Sequence, residues 1–138
     1  MTTPPRVRLH LWPESYVVAR LDSVPALDAA LRPASSPVCV IVGHDEVSLL
    51  APEPLLEELG IVAAEVSPGW RALTLDVVLS HGVVGLLAAV SDALARIGVP
   101  LMAFSSHDTD HFLVPGKDLG RVLAALNQVN LERFLASL

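Results

Sequence analysis

The chain has little of what marks disulfide-stapled, nucleic-acid-binding or catalytic proteins. Its one cysteine in 138 residues, Cys39, cannot close an internal disulfide. Cys39 lies in the strand-forming run Val38-Cys-Val-Ile-Val42, where a thiol reads as inert packing rather than as a nucleophile. Cations are scarce: nine Lys and Arg face fifteen Asp and Glu, a net charge of −6 with a pI near 5.2. The few basic residues are scattered, so the electrostatic footprint of a nucleic-acid partner is missing. No unbroken apolar run reaches the ~18 residues of a membrane-spanning helix. Met1-Thr-Thr-Pro-Pro5 has neither the charged nor the apolar region of a signal peptide, which predicts the cytoplasm. No G-x-G-x-x-G or Walker pattern argues for a nucleotide, so no cofactor is predicted. No nucleophile elbow holds a serine exposed, so Ser105, Ser106, His81 and the nearby carboxylates do not compose a hydrolytic triad. The chain reads as a non-enzyme.

What is present favours a real core. Hydrophobic residues are 52% of the chain and charged residues 17%, in a length that suits one ordinary domain or two very small ones. In the first half, Val7, Leu9 and Leu11 alternate with Arg8, His10 and Trp12 as a strand with one buried face, which Pro13 is expected to end. Tyr16–Leu21 predicts a second strand and Leu27–Leu31 a brief helix before Pro33. Val38–Val42 and Val47–Leu50 flank Gly43-His-Asp-Glu46 as a β-hairpin. Pro52 and Pro54 start a short helix that Gly60 stops, and Ile61–Val66 reads as a strand. Ser67-Pro-Gly69 is the strongest punctuation, and the domain boundary is placed there, between residues 14–69 and 70–138.

The second half repeats this element order. Leu73, Leu75 and Val77 alternate as a strand. Val83, Leu86, Leu87, Val90, Leu94 and Ile97 then fall on one helical stripe, with Asp92 and Arg96 on the wet side and Gly98 and Pro100 as the stop. The apolar run Val99–Ser105 predicts a strand of the sheet interior. The polar turn Ser105-Ser-His-Asp-Thr-Asp-His111 joins it to a strand from Phe112, and Leu119, Val122, Leu123 and Leu126 share the face of a last helix. No closing strand follows, since 128–138 look helical or frayed. The spare strand 7–11 is the natural replacement.

Gly69-Trp-Arg-Ala-Leu73, Gly82 to Gly85, Ile97-Gly-Val-Pro100, and Ser105-Ser-His-Asp-Thr-Asp110 with Phe112-Leu-Val114 occur in the order of a known family. On these motifs the chain resembles small tandem ACT-domain proteins, akin to the ACT repeats of aspartate kinases and of arginine-sensor proteins. The resemblance implies an α+β fold of two ferredoxin-like βαββαβ units in tandem, with no catalytic residues and with a small ligand, usually an amino acid, bound at a domain boundary. His107 and His111 depart from it, standing where family members more often carry aromatic side chains.

The residues themselves add a chemical reason. Gly82 and Gly85 are read as opening the long helix, whose first N–H groups and positive dipole end suit a carboxylate. The ligand site is accordingly expected at His81, Gly82, Val83 and Val84, facing Ser105, Asp108, Thr109 and Asp110. The proximity of the two segments is an implication of the resemblance. In this scheme Asp110 or Asp108 holds an ammonium group, against the plainer reading in which Asp110 caps its own turn. The resemblance further implies Asp45, Glu46, Val47 and Ser48 as a second wall. Metal binding by His107, Asp108, Asp110 and His111 is disfavoured, because in an extended segment the histidines and aspartates point to opposite faces. The expected partners are a small amino acid or similar zwitterion, a second copy in a homodimer, and an unknown regulated protein. The alternative is a structural dimerisation module with a vestigial site.

Overall fold

Two glycines in left-handed conformation end the helices that the sequence marks most sharply. In the computed structural model, which describes residues 7–27, 31 and 35–135, helix α1 (Glu53–Glu58) is closed by Gly60 at φ 64° and helix α2 (Leu86–Arg96) by Gly98 at φ 69°. In each, the glycine N–H bonds back three residues and the next N–H bonds back five. The pairs are Gly60 to Glu57 (3.1 Å) and Ile61 to Leu56 (2.9 Å), then Gly98 to Ala95 (3.0 Å) and Val99 to Leu94 (3.0 Å). This is the Schellman motif, which satisfies carbonyls that a helix end leaves without partners.

The chain divides into two compact units, Pro13–Arg71 and Met1–Trp12 with Ala72–Leu138. In the first, β2 (Cys39–Val42) and β3 (Val47–Pro52) form an antiparallel hairpin closed by a bond from the Gly43 N–H to the Glu46 carbonyl. Strand β3 also pairs antiparallel with β1 (Leu9–Leu21), from Tyr16 opposite Pro52 to Leu21 opposite Val47. Within this unit the strand order is β2-β3-β1-β4, with β4 spanning Glu65–Leu75. Ala19, Leu21, Leu49, Ala51 and Leu55 are its core. The buried Tyr16 hydroxyl donates to the Pro37 carbonyl (2.7 Å), and burial, with Glu14 nearby, pushes its phenol far above the ordinary range. Burial likewise raises the thiol of Cys39.

Three expectations for this half need correction. Pro13 does not end a strand: β1 runs unbroken through it, and pairing with β3 begins only at Tyr16, so no bond of that ladder needs an N–H at Pro13. Ser67-Pro-Gly69 does not interrupt the strand either, although the division between the two compact units falls close by, after Arg71. It lies inside β4, where Gly69 at φ 83° takes up the distortion as a bulge residue would. The strand expected over Ile61–Val66 starts only at Glu65, because Ile61 completes the cap of α1. The brief helix expected at Leu27–Leu31 falls largely outside the described residues, and Leu27 and Leu31 themselves are irregular.

In the second unit the strands run β1-β4-β6-β5, using Leu9–Trp12 of β1 and Ala72–Leu75 of β4. The Asp76 N–H donates to the Arg8 carbonyl (2.7 Å). β5 (Met102–Ser105) and β6 (Asp110–Pro115) are an antiparallel hairpin from Met102 opposite Leu113 to Ser105 opposite Asp110. Leu73, Leu75, Phe112 and Val114 of the sheet meet Leu86, Val90 and Leu94 of α2 and Val122 and Leu126 of α3 (Leu119–Asn127) in one buried cluster. The Arg121 guanidinium bonds both Asp118 and the Ile97 carbonyl at the negative end of α2. Asp92 and Arg96 form an exposed ion pair at 2.8 Å on the outer face of α2, the wet side read from the sequence.

Two further corrections apply here. β5 is an edge strand, not an interior one, because β6 lies between it and β4 in the sheet order, and it is short because Val99 is taken into the α2 cap. α2 begins at Leu86, so Val83 precedes it, Leu87 is 44% exposed, and only Leu86, Val90 and Leu94 of the expected stripe are fully buried within it.

Gly85 is the N-cap of α2 at φ 95°, and a Cβ there would lie 2.9 Å from Cε1 of Phe134. Gly82 is less constrained, with Ser80 Oγ 3.6 Å from where a Cβ would sit. Gly85→Ala is therefore expected to lower stability by roughly 1–3 kcal/mol, and Gly82→Ala by no more than about 0.5 kcal/mol. Urea denaturation of both variants checks this, and equal losses would contradict it.

Candidate functional site

After Leu75 the backbone leaves β4 and crosses residues 76–85 without regular structure before α2 starts. Hydrogen bonds to the turn of the β5–β6 hairpin fix that crossing. The Leu79 N–H donates to the Asp108 carbonyl (2.6 Å), the Thr109 hydroxyl donates to the Leu75 carbonyl (2.6 Å), and His81 Nε2 lies 2.9 Å from the His107 carbonyl. The rings of His81 and His107 also meet edge to face, 5.0 Å apart. The turn has its own closure, with the Ser106 N–H on the Thr109 carbonyl (2.9 Å) and the Ser105 hydroxyl on Asp110 Oδ1 (2.6 Å).

Between crossing, turn and helix start lies a cavity of about 340 Å³. Leu79, Ser80, His81, Val83 and Gly85 line one side, Leu86, Leu87 and Ala88 the helix end, and Ser105 to Asp110 the other side. The first backbone bond of α2 runs from the Ala89 N–H to the Gly85 carbonyl (3.0 Å), and no side chain caps the helix. The N–H groups of Leu86, Leu87 and Ala88 thus have no intrahelical acceptor, and they belong to residues that border the cavity at the positive end of the helix dipole. Asp108 and Asp110 border the same cavity, and among the described residues no lysine or arginine does. The arrangement offers N–H donors to an anion and carboxylates to a cation.

Of the residues singled out from sequence, His81, Val83, Ser105, Asp108, Thr109 and Asp110 line this cavity. Gly82 and Val84 do not: the Gly82 N–H is turned to Ser80 Oγ (3.2 Å), and Val84 is 85% exposed. Glu46 and Ser48 line a different cavity, of about 290 Å³, within their own unit, while Asp45 and Val47 do not line it. The lining side chains passed over in the sequence are Leu79, Ser80, Leu86, Leu87 and Ala88, of which Leu86 and Leu87 were assigned only to the helix stripe. Ser106 and His107 were noted for other chemistry.

The histidines do not follow the alternation expected of an extended segment. The turn bends, so His107 Nδ1 meets its neighbour Asp108 Oδ1 at 2.8 Å on the exposed side. His111 is instead only 8% exposed, with Nδ1 2.8 Å from Thr74 Oγ1, Nε2 3.0 Å from Ser106 Oγ and its ring stacked on Phe104. Burial lowers the pKa of His111 below the ordinary imidazole value, against the opposing pull of Asp110. Among the described residues no group of three or more His, Cys, Asp or Glu side chains is placed to hold a metal ion.

Thr109→Val removes the donor to the Leu75 carbonyl where the strand ends. It is expected to cost roughly 1–2 kcal/mol in stability, with Thr109→Ser recovering most of it. Thermal or urea unfolding checks the pair, and a Val variant as stable as the parent would show that this bond carries little.

Comparison with known proteins places the fold. No curated protein matches the chain. A crystal structure of a protein from Agrobacterium tumefaciens matches at 24% identity with a TM-score of 0.71, covering 89% of this chain and 88% of that one. A Vibrio cholerae protein of unknown function matches at 20% identity and a TM-score of 0.64, covering 86% and 85%. The regulatory subunit of aspartate kinase from Thermus thermophilus, in its ligand-free form, matches at 19% identity and a TM-score of 0.52, covering 88% and 94%. These likenesses are of fold. Residues 65–128, from β4 through α3, match the family model of the ACT domain.

Proposed function

We propose that this chain is a non-catalytic sensing module that binds a small amino acid in the cavity between the 79–85 crossing, the start of α2 and the Ser105–Asp110 turn. ACT domains are regulatory amino-acid-binding modules, and the match over residues 65–128 covers every element around the cavity. One observation carries the reading: uncapped helix N–H groups and two aspartates border one cavity of about 340 Å³, within the range of small-molecule sites. An α-carboxylate on the Leu86–Ala88 amides and an α-ammonium on Asp110 or Asp108 would match both charges of a zwitterion. The tandem ACT organisation, the second wall at Asp45, Glu46, Val47 and Ser48, a cytoplasmic setting and an output delivered through a regulated partner protein are parts of the same proposal. No helix among the described residues is long and apolar enough to cross a membrane.

A thermal-shift screen of the standard amino acids tests the binding, since a ligand held only by the folded state raises stability by mass action. For an amino acid that does so, calorimetric titration of Asp110→Ala and Asp108→Ala decides the site. Loss of a charged partner costs ~2–5 kcal/mol in a desolvated site, so Asp110→Ala is expected to weaken binding at least about tenfold with the fold intact. Equal affinity in the parent and both variants would place the site elsewhere. No response to any amino acid would favour the structural module.

The exposed apolar side chains of Val84 and Leu87, beside the cavity mouth, support self-association as a homodimer. Sedimentation velocity is expected to show a species heavier than the 14.6 kDa chain at micromolar concentrations. A monomer throughout would remove the dimer from the proposal.

A further inference from the structure

A line of hydrogen bonds crosses the second unit from β1 to the site. Trp12 Nε1 donates to Thr74 Oγ1 (2.8 Å), which lies 2.8 Å from His111 Nδ1; His111 Nε2 lies 3.0 Å from Ser106 Oγ, which donates to the Thr109 carbonyl (3.2 Å). Counting protons leaves one assignment in which every bond of the line is made. An indole N–H can only donate, and a hydroxyl has a single proton to give. If Thr74 gives its proton to Nδ1, then Nε2 carries the imidazole proton and donates to Ser106, which in turn donates to Thr109. The other tautomer breaks the line twice. Nδ1–H would leave the Thr74 proton without this acceptor, and an accepting Nε2 would draw the Ser106 proton away from the Thr109 carbonyl. The imidazolium, which donates at both nitrogens, also strands the Thr74 proton but keeps the bonds from Nε2 to Ser106 and from Ser106 to Thr109.

We propose that His111, with its proton on Nε2, is a positioning residue that holds the Ser105–Asp110 turn in its binding form through Ser106. The proposal rests on reading the cavity as an amino-acid site, and it adds a residue that supports that site from behind. It concerns a residue that touches Ser106 but does not itself line the cavity.

The surroundings favour the neutral ring. β5 supplies Phe104, stacked at 5.0 Å, β4 supplies Thr74 and the turn supplies Ser106, all uncharged. On β1, His10 packs its ring against Trp12 at 4.2 Å. Asp110, next in sequence, favours the cation, and burial outweighs it. Because the folded pKa lies below the unfolded value of about 6.5, the stabilising contribution is complete above that pH. It is lost as pH falls from about 6.5 through the lower folded value, where the unfolded chain binds the proton first.

NMR of the full chain without added amino acid tests the proposal. Long-range imidazole nitrogen spectra are expected to show His111 as the Nε2–H tautomer near neutral pH. At neutral pH, hydrogen-exchange protection of the Ser106 and Leu79 amides, corrected for intrinsic rate, should be lower in H111F than in the parent by about fivefold or more, the factor that one neutral hydrogen bond is worth. Protection of Leu113 should be the same in both. H111Q, whose amide can still donate to Ser106, should keep the turn protected. If H111F fails to fold, Ser106→Ala removes the same bond from the turn side, read at the Leu79 amide. An Nδ1–H tautomer, or full protection in the Phe or Ala variant, would overturn it. None of these readouts needs an amino acid to bind, so failure here is distinct from failure of the binding proposal.

Discussion

Three hydrogen bonds between the turn of one hairpin and the strand exit beside it decide whether this protein has a site. Residues 76–85 have no helix or sheet of their own to hold them. Their course depends on Leu79 bonding Asp108, Thr109 bonding Leu75 and His81 meeting the His107 carbonyl. A segment with exposed backbone and few apolar anchors opens easily unless such bonds tie it down. Here they set the separation between the start of α2 and the turn, and hence the width of the cavity.

The first residues of helix α2 line that cavity, and no side chain caps their amides. Ser, Thr, Asp or Asn at the N-cap would supply an acceptor from within the chain. Gly85 supplies none, and its left-handed φ and close approach to Phe134 make it a position where a larger residue fits poorly. The same residue that lets the crossing bend into the helix therefore leaves the first turn available to an external carboxylate. Across the cavity, Asp110 has one oxygen engaged by the Ser105 hydroxyl, so part of its capacity serves the turn. A structural role on that oxygen would not exclude the proposed binding role on the other.

Much of this was legible in the residues. Gly60 and Gly98 mark helix ends because few side chains tolerate the conformation required, and the two hairpins follow from short polar stretches between apolar runs. Pro13 and Ser67-Pro-Gly69 misled for a common reason. Proline and glycine restrict local geometry, but whether a strand stops there depends on what its neighbours demand, and that is tertiary information. The line through Trp12, Thr74, His111 and Ser106 had no sequence signal, since its members come from three strands and a turn far apart in the chain. His111 stood out in the sequence as a departure from an aromatic position and as a disfavoured metal ligand, whereas in the fold it is buried and stacked on Phe104, its partner in the ladder.

The central claim is that one amino acid bridges the α2 N-terminus and the hairpin turn. Amide chemical-shift mapping during titration with a stabilising amino acid tests it most directly. The account predicts that Leu86, Leu87 and Ala88 shift together with Ser105 to Asp110, with one shared dissociation constant. Shifts confined to the larger groove lined by Leu123, Asn127 and Leu131, with the helix start and turn unmoved, would contradict it.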